Sequence, residues 1–344
     1  MKATYHQYIL NFKQPSGTSR GVLRTKETWF IVLESEGKRG VGECGILRGL
    51  SIDDRPDYER QLQWTCNNIA LGLEALFEKN REFPSIQFGL EMAFRSLAST
   101  SPFLLFETNF TTGTAAIPIN GLIWMGDGAF MKQQIAAKIE AGFGCIKMKI
   151  GAIDFDTEIS LLQSIRKEFS SKDIELRVDA NGAFSPQEAL EKLKRLSDLD
   201  LHSIEQPIKQ GQFEEMAALC EKTPLPIALD EELIGVFDTD ERAQLLEVVK
   251  PQFIILKPSF IGGYSGSDEW ITMAEERQIG WWVTSALESN VGLNAIAQWT
   301  YTLHQQLPQG LGTGSLFTNN FESPLEVKNG ALYYNNILNW NFNL

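Results

Sequence analysis

The chain has 344 residues, 43% of them hydrophobic, and a formal net charge of −13 at pH 7. It is long enough for a (β/α)8 barrel plus a smaller second domain, and apolar enough that disorder is excluded. The acidic balance argues against nonspecific nucleic-acid binding. Cys44, Cys66, Cys145 and Cys220 form no CxxC pair, so free thiols in a reducing cytoplasm are expected rather than a zinc or redox site. No cleavable leader pattern opens the chain and no apolar run approaches a membrane span, which fits the same cytoplasmic location.

The first 46 residues read as antiparallel strands. Thr28 to Glu34 is a β-rich run, Ser35 to Gly40 a turn, and Val41 to Cys44 the return. Residues 57–100 read as helices, with Leu62, Ile69, Leu73 and Leu76 at helical spacing. Strands followed by helices predict an α+β domain over 1–115. From Ala116 short apolar runs alternate with amphipathic stretches. Eight strands are expected to start near 116, 145, 175, 201, 227, 253, 281 and 310, which predicts an α/β TIM-type barrel over 116–315. Ser185-Pro186 marks one helix start. In the tail, 316–344, Asn329-Gly330 signals a hairpin, and the tail is expected to fold back onto the first domain.

Charged groups end most of the barrel runs. Lys149, Asp179, Glu205, Asp230, Lys257 and Ser285 follow one another at intervals of 25 to 30 residues. In a barrel, residues at the carboxyl ends of successive strands converge on one site. Asp179, Glu205 and Asp230 then form an all-oxygen set without His or Cys, suited to a hard divalent cation such as Mg²⁺. The plainer alternative makes each a helix cap or a surface ion-pair partner. Lys147 and Lys149 are two apart and share one strand face. Nearby positive charge would lower a lysine's pKa and make it a general base; the alternative is a solvated strand end. Lys257 closes the apolar run Phe253–Leu256 on the far side.

A metal facing such amines suits abstraction of a proton beside a carboxylate. The expected partner is therefore a small-molecule carboxylate, with neither nucleic acid nor membrane. Asn181 should share the face of Asp179, or be only an Asn-Gly turn. Ser285, and the backbone of Gly312 and Thr313, are candidate substrate contacts. Glu288 is placed at the mouth of the site, with a helix start as its alternative. A histidine-based triad has no support from His6, His202 and His304.

The pattern of Lys147, Lys149, Asp179, Glu205, Asp230 and Lys257 resembles the enolase superfamily, muconate-lactonizing subgroup, over nearly the whole chain. The resemblance implies a modified (β/α)7β barrel with an α+β capping domain, a divalent metal on the three carboxylates, Lys149 as base and Lys147 as its helper. The segments 117–124, 285–295 and 310–317 are similar to members that dehydrate a cyclohexadiene carboxylate bearing a succinyl chain through an enediolate. The eighth strand lacks the Asp-x-Asp of dipeptide epimerases. An N-succinylamino acid racemase or another epimerase of this machinery is the alternative, and a noncatalytic metal-binding barrel has no use for all six groups. The resemblance also implies cap loops closing over substrate near Gly17–Gly21 and Leu47–Ser51, with Arg20 and Arg48 in them. Glu232 departs from the pattern, which has a small residue there.

Overall fold

The computed structural model describes every residue except 19 and 20. An antiparallel sheet comes first, with β1 (Lys2–Thr18), β2 (Gly21–Ser35) and β3 (Lys38–Gly45) in that order. The helices α1 (Tyr58–Asn67), α2 (Leu73–Lys79) and α3 (Pro84–Ala98) follow. Pro84 suits the first turn of α3, where its missing N–H costs nothing. α3 is buried on nearly all sides, because it lies between β3 and the barrel. Glycines permit the approach to β3: a Cβ on Gly42 would stand 1.8 Å from the Gly89 carbonyl oxygen.

The barrel begins with β4 (Ala116–Pro118) and β5 (Gly121–Ile123). It continues through α4 (Gly128–Glu140), β6 (Cys145–Lys149), α5 (Phe155–Glu168), β7 (Glu175–Asp179) and α6 (Pro186–Ser197). Next come β8 (Ser203–Glu205), α7 (Phe213–Lys222), β9 (Ile227–Leu229), α8 (Thr239–Val249) and β10 (Phe253–Leu256). The series ends with α9 (Pro258–Ile261), α10 (Gly263–Glu276), β11 (Gly280–Val283) and α11 (Asn290–Thr302). β5 to β11 form one parallel sheet in sequence order, the product of repeated right-handed βα units. α6 shows how a local signal becomes structure. Ser185 and Glu188 form a capping box, and Ala189, Leu193 and Leu196 bury one face.

Two expected strands differ. The first is split: β5 pairs with β6, while β4 pairs with the tail hairpin of β12 (Leu325–Lys328) and β13 (Ala331–Tyr334). The eighth is reduced to single bridges, Ile119 with Gln309 and Thr284 with Gly310, which close the ring. Gly310 must lack a side chain there, since a Cβ would meet Thr284 Oγ1 at 2.4 Å. The tail also touches the first sheet, through a Phe12–Phe317 bridge and the rings of Phe321 and Phe342 packed on Phe30. Among the described residues no helix is long and apolar enough to cross a membrane.

Candidate active site

The strand register brings the predicted groups together. Lys149, Asp179 and Glu205 are direct neighbours across β6, β7 and β8. Asp230 and Lys257 follow the last residues of β9 and β10. All six charged side chains are buried or nearly so. A cavity of about 910 Å³ opens above them, lined by Lys147, Lys149, Asp179, Asn181, Lys257, Ser285, Gly312 and Thr313.

Ammonium and carboxylate groups interleave. Lys147 Nζ donates to Glu205 and lies 3.1 Å from Asp179 Oδ2. Lys149 Nζ donates to Asp179 Oδ2 at 2.8 Å and to Asn181 Oδ1 at 2.7 Å. Lys257 Nζ donates to Asp230. Burial works against every one of these charges, and the outcome depends on neighbours. Burial disfavours the Asp179 carboxylate, but Lys147 and Lys149 outweigh it and hold the group well below its usual range. Lys257 does the same for Asp230. Glu205 is pushed up to about 8, by burial and then by Asp179. Lys147 departs from the sequence expectation. Burial lowers Lys147 and Lys257, yet the adjoining carboxylates reverse this and raise both. The crowd around each is of opposite charge, not like charge.

As they stand, no three His, Cys, Asp or Glu side chains among the described residues converge as a metal cage. The ammonium groups stand between the carboxylates. The donor set still fits a hard cation. It is all oxygen, it comes from three adjacent strands, and Glu205 Oε1 is buried without a hydrogen-bond partner among the described residues, with Lys257 Nζ 3.8 Å away.

Position revises the sequence expectation for Glu288. Glu288 does not line the cavity; it is fully buried and turned toward Ser259 and the Ala286 N–H. Arg48 does reach the cavity, but its guanidinium is held by Glu27 and Asp54. Glu232 is buried behind the cavity, where it accepts from Gln206 Nε2 at 2.8 Å and Gly211 N at 2.7 Å. Arg20 lies outside the described residues. Ser285 and Thr313 share a 2.6 Å hydroxyl contact.

Trp124 was not singled out from the sequence as a site residue. It lines the cavity with its ring 5.9 Å from Lys149 Nζ, and its backbone is pinned by Gln134 on both sides. Its place after β5, in step with Leu122, is the signal that would have found it.

The enolase C-terminal domain-like family model matches residues 131–336, and the MenC N-terminal domain model matches 1–97. The o-succinylbenzoate synthase of Desulfotalea psychrophila is 47% identical, covering 96% of this chain and 98% of its own. The chain belongs to the enolase superfamily and, within it, to the o-succinylbenzoate synthase family. The crystal structure of MenC from Desulfotalea psychrophila agrees with this synthase-family fold at TM-score 0.86 and 44% identity, covering 97% of this chain and 99% of that one. A dipeptide epimerase from Enterococcus faecalis, solved with Mg and a dipeptide, shares the fold at TM-score 0.82 and 18% identity over 96% of each chain. The likeness to the synthase family thus spans the cap as well as the barrel, which carries the ligand-like residues.

Proposed function

We propose that this chain is a divalent-metal-dependent hydro-lyase that dehydrates 2-succinyl-6-hydroxy-2,4-cyclohexadiene-1-carboxylate to o-succinylbenzoate, a step of menaquinone biosynthesis. The carrying observation is that Lys149 and Lys257, from strands on opposite sides of the barrel, line one cavity together in a chain 47% identical to such a synthase. Asp179, Glu205 and Asp230 would hold the cation, with Mg²⁺ the best match to three carboxylates. When bound, it would neutralise charge developing on the substrate carboxylate.

Lys149 is assigned as the base. Its ammonium donates to Asp179 and Asn181, which fixes Nζ and leaves its remaining direction for substrate. As the neutral amine Lys149 removes the α proton, and the ammonium so formed returns it to the departing hydroxyl on the same face. That makes the loss of water syn and needs one titrating amine. Lys257 supports the enediolate by charge from the opposite face. Lys147 helps to set the charge around Lys149, and it touches Asp179 and Glu205 directly. Ser285, Thr313, Gly312 and Asn181 would contact substrate oxygens. The division into a cap of 1–115 with the tail 316–344, and a barrel of 116–315, goes with this reading, because the cap residues Leu23, Leu47 and Leu50 roof the cavity. The four buried free cysteines support a cytoplasmic site of action.

The test is direct. Purified protein with Mg²⁺ is given the cyclohexadiene substrate, and its absorbance is followed as the ring becomes aromatic. EDTA should abolish turnover and Mg²⁺ restore it. Glu205→Gln should weaken Mg²⁺ binding at least tenfold by calorimetry. Absence of turnover in wild-type protein, or full turnover without metal, refutes the reading.

A further inference from the structure

Glu288 is fully buried yet stays out of the cavity. Its Oε1 accepts a hydrogen bond from Ser259 Oγ, two residues beyond Lys257. Its Oε2 accepts from the Ala286 N–H at 2.7 Å, one residue beyond Ser285. One carboxylate therefore spans the turns that leave β10 and β11. Leu287, just before it, has φ 63°, a left-handed backbone that a leucine adopts only when its surroundings hold it there. That conformation leaves Leu287 on the cavity wall and Glu288 inside the protein.

The capping domain packs a lysine against the same turn. Lys26 on β2 is 2% exposed, and its ammonium has no hydrogen-bond partner among the described residues. A buried ammonium persists only beside compensating carboxylates. Burial lowers the pKa of Lys26, and the nearby Glu43, Glu288 and Glu27 oppose that without overcoming it. Gly45 makes the approach possible: a Cβ there would meet Lys26 Nζ at 3.0 Å and Glu288 Cγ at 3.5 Å. Glu43, on β3, in turn accepts from the Ser289 N–H at 2.9 Å and the Gly292 N–H at 2.8 Å, at the start of α11. The cap thus grips the same turn from two strands.

We propose that Glu288 is a positioning residue that fixes the Lys257 turn against the Ser285 strand end, with Lys26 of the docked cap packed beside it at Gly45. It acts through those two residues, so its catalytic consequence rests on the roles given to them above, while its geometry does not. Two measurements separate the two. The first is hydrogen exchange on peptides covering 257–262 and 284–289, which needs no turnover. Ser259→Ala cuts one arm and should raise exchange in the first peptide. Glu288→Leu cuts both and should raise exchange in both peptides. Lys26→Met should loosen them in wild-type protein and add little to Glu288→Leu.

The second is kinetic. Ser259→Ala should lower kcat about tenfold with KM within threefold and a thermal midpoint close to that of wild type. Glu288→Leu should lower kcat further and raise KM, and Glu288→Gln should recover most of that loss, since an amide can still join Ser259 Oγ to the Ala286 N–H. Unchanged exchange in both peptides overturns the proposal, as does strict additivity of Ser259→Ala with Glu288→Leu. If Glu288→Leu fails to fold, Ser259→Ala alone decides: unaltered exchange at 257–262 refutes the tie. Wild-type protein without turnover would instead refute the dehydratase reading, with the exchange result standing by itself.

Discussion

Lys149 and Asp179 stand opposite each other in the β6–β7 register, and Lys149 Nζ lies 2.8 Å from Asp179 Oδ2. The pair joins a strand-end amine to a strand-end carboxylate with no loop between them, so its geometry is set by the sheet itself. Replacing the amine while keeping the charge is the informative change. Lys149→Arg holds a positive group beside Asp179 but offers no amine to accept the proton. Turnover should fall at least a thousandfold, a barrier increase of about 4 kcal/mol or more. Single-turnover rates check this, and a loss below tenfold would move the base to another residue.

The cap depends on a close approach of backbone to backbone. A Cβ on Gly42 would stand 1.8 Å from the Gly89 carbonyl oxygen, and one on Gly89 would stand 2.2 Å from Cys44 Sγ. Neither neighbour is the free end of a flexible chain. Gly42→Ala should therefore lift α3 off β3 and cost about 3 kcal/mol or more, at the upper end for overpacking. Denaturant unfolding measures it. A change under about 1 kcal/mol would mean that the sheet and helix separate easily.

Glu91 on α3 binds the barrel across the domain contact. It accepts from the Tyr264 N–H at 2.6 Å and the Ser265 N–H at 3.1 Å, in the first turn of α10. Burial pushes its carboxyl from 4.5 up to about 7, and the hydrogen bonds with Ser265 and Tyr264 only partly offset this. A carboxyl raised on folding binds its proton more tightly in the folded chain. Its contribution to stability is full below about pH 4.5 and is lost as pH rises through 7. The thermal midpoint of wild-type protein should therefore fall between pH 5.5 and 8 by more than that of Glu91→Gln, which has no proton to lose. Equal slopes in the two proteins would show that Glu91 does not titrate in this window.

The barrel and its six charged groups were legible because each lies at a strand end. Strand ends recur at a fixed interval, and a run such as Phe253–Leu256 closing on Lys257 is visible without any tertiary information. Ser285, Gly312 and Thr313 were reached the same way. Glu288 was misplaced because its direction is decided by the left-handed Leu287, and nothing in a leucine announces positive φ. The direction of the Lys147 shift was misjudged because the sequence shows which charges are near, not which pairs touch. The split first strand followed from pairing with a hairpin some 200 residues away, a contact that local patterning cannot report.

The reaction itself separates the synthase from its racemising relatives. Dehydration ends in an aromatic ring, so one lysine can serve both proton transfers and the second need only carry charge. Racemisation requires proton delivery to both faces. Lys257→Arg keeps a cation opposite Lys149 but removes the second amine. Dehydration should survive this change at a reduced rate, within about a hundredfold of wild type, while Lys257→Ala should lose far more. Racemisation of N-succinyl amino acids in D₂O should be slow in wild-type protein and vanish in both variants. Both activities are read on the same preparation, one by ring absorbance and one by NMR. Fast exchange with racemisation, in the absence of dehydration, would assign the cavity to amino-acid derivatives instead.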